Sequence, residues 1–251
     1  MKVNYQIEME RELRRIAGSG GRPRLLLHAC CAPCSSAVLE RLTPVFDITA
    51  FYYNPNIAPE SEFLHRADEL RRLIAELPHE NAIDMIQGDY DWDRFRALSR
   101  GLEGAPEGGA RCERCFRLRL GRTAAVAAEG GFDYFTTTLS ISPLKDAQLL
   151  NAIGAELAQQ YGVRYLFSDF KKKDGYRRSC ALSAEYGLYR QNYCGCPFSP
   201  AAPIRTRLLN AKKGRHRRPR GSGERKPQEG GAAGSQAGGA ICNQTNEGGT
   251  Q

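Results

Sequence analysis

Seven of the nine cysteines in this 251-residue chain fall in three short segments. Cys30, Cys31 and Cys34 form a CCxxC, Cys112 and Cys115 a CxxC, and Cys194 and Cys196 a CxC. Thiolates at such spacings can clasp one metal centre, which points to zinc or iron–sulfur chemistry without separating the two. On spacing, Cys31 and Cys34 make the first ligand pair and Cys112 and Cys115 the second. The CxC has two readings. A disulfide between residues so close closes a small, strained ring that is readily reduced, which suits an electron relay. The same pair can also serve as further metal ligands. An isolated cysteine is ordinarily a small buried hydrophobe, and Cys180 and Cys242 are read that way. Among the histidines, His28 alone lies near a cysteine group, where its apolar neighbours make it a core residue or a support for the ligands. His65, His79 and His216 have no ligand-like company.

These residues need elements that bring them together. Arg24–Ala29 is a short apolar run that leads directly into Cys30. Asp47–Tyr53 is rich in β-branched and aromatic residues and stops at the turn signal Asn54-Pro55-Asn56. Phe63, Leu64, Ala67, Leu70, Leu73, Ile74 and Leu77 recur at helical spacing, so a helix follows. Further strands are expected at Ala82–Ile86, Phe132–Thr138 and Arg164–Phe167, with helices at about 115–129 and 144–160. On this reading the CxxC sits in a loop leading into a helix. Five strands separated by helices make a doubly wound, mostly parallel α/β sheet, whose site gathers at the carboxyl ends of the strands.

Charge divides the chain. The whole carries 36 Lys plus Arg against 28 Asp plus Glu, a net of +8. Residues 199–251 hold ten of those cations and three Glu, a net of +7, so residues 1–198 are nearly neutral. The terminal segment is also rich in Gly, Ser and Gln, has little to bury and is expected to be disordered, leaving a globular part of residues 1–199. No run of about 18 apolar residues exists, which excludes a membrane-spanning helix. The N-terminal residues lack the apolar stretch of a secretory signal, so a cytoplasmic protein is expected, in which clustered cysteines argue for metal or redox chemistry over a disulfide framework.

Two further groups are candidates. Asp89, Tyr90 and Asp91 follow the third strand and Asp169 the last, positions from which acids can face the site. Lys171, Lys172, Lys173, Arg177 and Arg178 surround Tyr176, a mixture suited to phosphates and an exposed base of an RNA.

The chain resembles the QueH-type epoxyqueuosine reductases of tRNA queuosine biosynthesis. The resemblance is carried by His28-Ala29-Cys30-Cys31-Ala32-Pro33-Cys34-Ser35, Tyr53-Asn54-Pro55-Asn56-Ile57, and Pro106-Glu107-Gly108 with Arg111-Cys112. It continues through Cys115–Leu120, Thr137–Pro143, Asp169–Tyr176 and Leu188–Cys196, covering about residues 22–199 in order. It implies a Rossmann-like fold of the adenine-nucleotide α-hydrolase-like group and reduction of the epoxide of epoxyqueuosine at the tRNA wobble position. It also implies a [4Fe–4S] cluster on Cys30, Cys31, Cys112 and Cys115, which moves the first ligand pair from that chosen on spacing. A redox-active disulfide at Cys194 and Cys196 is implied too, as is an additional iron ion, for which Cys34 is the candidate ligand. The implied partners are tRNA containing epoxyqueuosine and an electron donor; no membrane is involved. This chain departs from the family pattern after Arg178-Ser179, where Cys180-Ala181 replaces an aliphatic residue and Glu, and beyond about Ser199.

Two other readings compete. An ATP-dependent PP-loop-type tRNA-modifying enzyme needs glycines after the first strand to wrap a pyrophosphate, and residues 28–34 contain none. In a non-catalytic zinc-bound RNA-binding module all the thiols would be structural, and metal identity separates it from the reductase.

Overall fold

A computed structural model describes residues 2–79, 82–191 and 193–199. The expected disordered tail, with Cys242, lies outside the described residues, as does Asn192. Five strands, β1 (Arg24–His28), β2 (Asp47–Tyr52), β3 (Asp84–Gln87), β4 (Tyr134–Thr137) and β5 (Arg164–Tyr165), form one sheet in the order β3-β2-β1-β4-β5. Every pairing is parallel. The helices are α1 (Tyr5–Gly18), α2 (Ala32–Leu42), α3 (Glu60–Glu76), α4 (Trp92–Ser99), α5 (Ala110–Glu129), α6 (Ala147–Tyr161) and α7 (Gly175–Glu185).

Strand periodicity explains why helices cover both faces. In β1, Leu25 and Leu27 enter a core with Met9 of α1, Leu39 of α2, Leu70 of α3 and Leu182 of α7. Leu26, pointing the other way, packs with Phe116 and Leu120 of α5 and Ile153 of α6. β2 divides alike, with Ile48, Ala50 and Tyr52 on the first side and Phe51 on the second. Strands buried on both faces read as continuous apolar runs, as these do. The doubly wound α/β architecture expected from the sequence is therefore the observed one.

Element edges differ from expectation for local reasons. The fourth strand ends at Thr137, whose hydroxyl accepts from the Leu139 amide and starts a 3₁₀ turn over Thr138–Ile141. α5 begins at Ala110, so Cys112 and Cys115 lie on its first turns and not in a loop before it. Its buried face is Arg111, Cys112, Cys115, Phe116, Arg119 and Leu120, and two arginines on that face interrupt the apolar periodicity that marks a helix. The N-terminal helix α1 had no counterpart in the sequence reading.

A candidate thiol-rich metal and redox site

The chain leaves β1 toward β2 on one side and β4 toward β5 on the other, so β1 and β4 flank the point where the winding reverses. Crevices at such points are the usual binding places of open α/β sheets. Cys30 follows β1 there. Its amide donates to the Thr138 hydroxyl at 3.1 Å, and that hydroxyl lies 3.3 Å from Cys30 Sγ and donates to it. Cys31 is the residue that precedes the first turn of α2, and Cys34 lies in that turn. Cys30 and Cys31 Sγ are 3.9 Å apart, and the Sγ atoms of Cys30, Cys31 and Cys34 all lie within 4.8 Å of one another. These three residues, placed together by one turn of chain, form a set able to hold a metal ion. Hydrogen bonds from Cys31 and then Cys34 hold Cys30 well below the ordinary thiol range, while that same contact pushes Cys31 up to about 12. One negative charge is thus shared by the group, and binding of a cation would release the remaining protons.

α5 brings the second set. The Gly108 amide donates to Cys112 Sγ at 3.2 Å. Cys115 is buried, and burial pushes its thiol up to about 11. Arg111, 1% exposed, donates to the carbonyls of Leu102, Glu103 and Ala105 at 2.7–2.9 Å and ties the preceding loop to the helix. Arg119 lies one turn beyond Cys115 and is only 4% exposed. It donates to Asn54 Oδ1 and sits 3.3 Å from His28 Nε2. Asn54 in turn donates to the Ala29 carbonyl at 2.9 Å, fixing the end of β1. Burial and then the Arg119 charge push His28 down to about 3, so it is neutral, with Nδ1 2.8 Å from the Thr137 hydroxyl. His28 is a support residue, as its apolar neighbours suggested.

The third segment folds over both. Cys194 and Cys196 carry free thiols. Gly195 between them has φ +90°, and a Cβ there would come within 2.7 Å of Ile57 Cγ1. Glycine is therefore required by both conformation and space. The Gly195 carbonyl accepts from the Ala58 amide at 3.1 Å and the Cys194 carbonyl from Asn56 Nδ2 at 3.2 Å, so the segment after β2 holds the CxC. A hydrogen bond from Cys196 and the Lys145 charge hold Cys194 well below the ordinary thiol range.

Two cavities collect these groups. Cys30, Cys31, Cys34 and Cys194 line one of about 120 Å³, together with Arg66, Glu107, Arg119, Lys145, Tyr176, Arg190 and Tyr193. Cys112, Cys115, Cys194 and Cys196 line a smaller one that shares Arg119, Lys145 and Cys194 with the first. All seven clustered cysteines thus converge. The cations were missed from the sequence because charged residues read as solvent-facing. A signal for Arg119 existed: positions 112, 115 and 119 follow one helical face. Neither acid group lines the cavities. Asp91 accepts instead from the Tyr53 hydroxyl at 2.7 Å, and Asp169 pairs with Lys171 at 2.6 Å. Cys180 is buried on α7 outside the lining.

The five basic residues from Lys171 to Arg178 are ion-paired: Lys171 and Lys172 with Asp169, Lys173 with Glu10, Arg177 with Asp174, and Arg178 with Glu40. The patch is therefore locally close to neutral.

Residues 25–202 match the family model described as "Epoxyqueuosine reductase QueH". The chain belongs to the QueH family. Among similar QueH proteins, the epoxyqueuosine reductase QueH of Staphylococcus epidermidis is 41% identical over 202 residues, covering 79% of this chain and 85% of the relative. That of Streptococcus pyogenes serotype M1 is 42% identical over 200 residues, covering 79% and 78%. The QueH of Thermotoga maritima is 37% identical over 181 residues, covering 70% and 89%. The QueH match spans all three cysteine segments and every residue lining the two cavities. No helix among the described residues is long and apolar enough to cross a membrane.

Proposed function

We propose that this chain is an epoxyqueuosine reductase that removes the epoxide oxygen of epoxyqueuosine in tRNA. The observation that carries this reading is the convergence, in a QueH-family chain, of three cysteine segments on one cavity at the switch point of the sheet.

The cavity's chemistry fits an anionic iron–sulfur centre. Arg119 is buried and has no carboxylate partner among the described residues; its hydrogen-bond acceptors are neutral. A buried cation is costly without nearby negative charge; the Cys30 thiolate supplies some, and a cluster held by thiolates would supply more. Cys30, Cys31, Cys112 and Cys115 are the proposed ligands of a [4Fe–4S] cluster, and Cys34 the proposed ligand of an additional iron. When bound, the cluster would supply single electrons and the additional iron a Lewis acid.

The residues of the chain then have definable tasks. Cys194 and Cys196 release two electrons when oxidised to their disulfide, together with the proton of the Cys196 thiol. Loss of the epoxide oxygen as water, leaving a C=C bond, consumes those two electrons, that proton and one more from a group in the cavity. An electron-donor protein or small thiol must afterwards reduce the pair. Lys171, Lys172, Lys173, Arg177 and Arg178 are the proposed tRNA contacts; the exposed pairs Arg177–Asp174 and Arg178–Glu40 are worth about 0–1 kcal/mol each and exchange readily for phosphates.

The test uses anaerobically prepared, reduced full-length protein with tRNA containing epoxyqueuosine. Digested tRNA should contain queuosine, lighter by one oxygen. Unchanged epoxyqueuosine after incubation with cluster-loaded protein would reject the function.

A further inference from the structure

Reduction of the epoxide leaves an oxygen that must be taken up as its bonds to carbon break, and the cavity offers one ammonium group to receive it. Lys145 lies between the 3₁₀ turn and α6, only 8% exposed. Its amide donates to the Ser142 carbonyl at 3.2 Å, which fixes the backbone. Its Nζ reaches Glu107 Oε1 at 3.0 Å, and the Nζ lies 5.9 Å from the Phe116 ring centroid. It lines both cavities beside Cys194, the one thiol that also lines both.

The other cations in this lining are unsuited to proton transfer. Arg66, Arg119 and Arg190 are guanidiniums, which do not give up protons in proteins. Tyr176, whose hydroxyl accepts from Arg190 Nη2 at 3.3 Å, and Tyr193, whose ring lies under the Arg66 guanidinium at 5.0 Å, keep their phenol protons but carry no positive charge to meet a developing alkoxide. The carboxylate of Glu107 is held by Lys145 itself.

We propose that Lys145 is a catalytic residue that hydrogen-bonds the epoxide oxygen and delivers a proton to it as the first C–O bond breaks, with Glu107 as its positioning residue. The proposal rests on the reductase reading and adds the proton path to it. Electrons and atoms balance. The first cleavage leaves an alkoxide, which takes a proton from the Lys145 ammonium. The second cleavage leaves hydroxide, which takes another proton and departs as water while the C=C bond forms. Oxidation of the Cys194 thiolate and the Cys196 thiol to the disulfide releases two electrons and one proton, which goes to the hydroxide; when the donor reduces the pair, the two protons that accompany its two electrons restore the Cys196 thiol and the Lys145 ammonium. Burial works against the lysine charge, but Cys194, Glu107 and Cys112 outweigh it and hold the ammonium above the ordinary lysine range. The group is thus charged when the oxygen develops negative charge, so it stabilises that charge electrostatically and yields its proton to the strongly basic alkoxide once the C–O bond has broken.

The test is single-turnover reduction of epoxyqueuosine-containing tRNA by full-length, cluster-loaded wild type, Lys145→Arg and Lys145→Met. Arginine keeps the charge but not the transferable proton; methionine keeps the packing alone. Iron and sulfide content and tRNA affinity are measured on the same samples. Both variants should keep iron, sulfide and tRNA binding near wild type and lose at least ~100-fold in the rate of oxygen removal, the scale of general acid catalysis. Glu107→Gln should show a smaller loss in the same direction. A rate for Lys145→Arg or Lys145→Met within about threefold of wild type would overturn the proposal. Loss of iron from both variants would also overturn it, by assigning Lys145 to the metal centre. Inactive wild type with a full cluster would instead reject the reductase function.

Discussion

At the scale of single residues, what matters is which thiols and charges face each other. The cysteine groups were legible as three clusters because their spacing is short, but spacing alone selected Cys31 and Cys34 as the first pair. In the fold Cys30, Cys31 and Cys34 meet as one group, and no pairwise spacing rule expresses that. Lys145 and Glu107 were not legible, and Arg119 only through its helical spacing from Cys112 and Cys115, because each reads as an ordinary charged surface position until the fold buries it. The account therefore predicts an uneven response to cysteine replacement. Cys112→Ser or Cys30→Ser should lose most of the bound iron, whereas Cys180→Ser, outside the cavity lining, should keep it. Iron analysis of anaerobically purified variants checks this, and equal iron in all three would argue against the proposed ligands.

At the scale of elements, the strands were read well because runs such as Leu25-Leu26-Leu27 are buried on both sides of a parallel sheet. The start of α5 and the whole of α1 were read poorly. α1 is amphipathic but rich in charge, and its anchoring depends on tertiary contacts: the Tyr134 hydroxyl donates to Glu12, and Arg15 donates to that hydroxyl at 2.8 Å. Hydrogen bonding from Arg15, then Tyr134, holds Glu12 down to about 2 from its ordinary 4.5. A carboxylate lowered on folding stabilises the native state above its unfolded value and loses that contribution as pH falls through its folded one. Glu12→Gln should therefore be less stable than wild type at pH 6, with the difference shrinking from about pH 4.5 toward pH 2 in urea denaturation. The segment that carries the CxC makes a second prediction at this scale. Gly195→Ala meets both the positive φ and the Ile57 side chain, and should cost about 1–3 kcal/mol in stability. It should impair repeated turnover more than iron content, since it displaces Cys194 and Cys196 and leaves Cys30 and Cys31 in place.

At the scale of the whole molecule, net charge proved the least informative feature. The +8 lies mostly beyond residue 198, and the basic residues from Lys171 to Arg178 are matched by nearby carboxylates. Sequence alone shows the cations of such a patch but not the acids that other helices bring to it. Reversing the charge of Lys171, Lys172 and Lys173 should weaken tRNA binding and flatten its dependence on salt, whereas deleting 200–251 should reduce only a sequence-independent part of the affinity. Filter binding across salt concentrations separates the two.

The central claim is that the converging thiols hold one iron–sulfur redox centre. Its most direct test is iron, zinc and acid-labile sulfide analysis of the full chain purified without oxygen. The account predicts about four iron and about four sulfide per chain, with iron in slight excess if the additional ion is retained. Stoichiometric zinc with neither iron nor sulfide would contradict it.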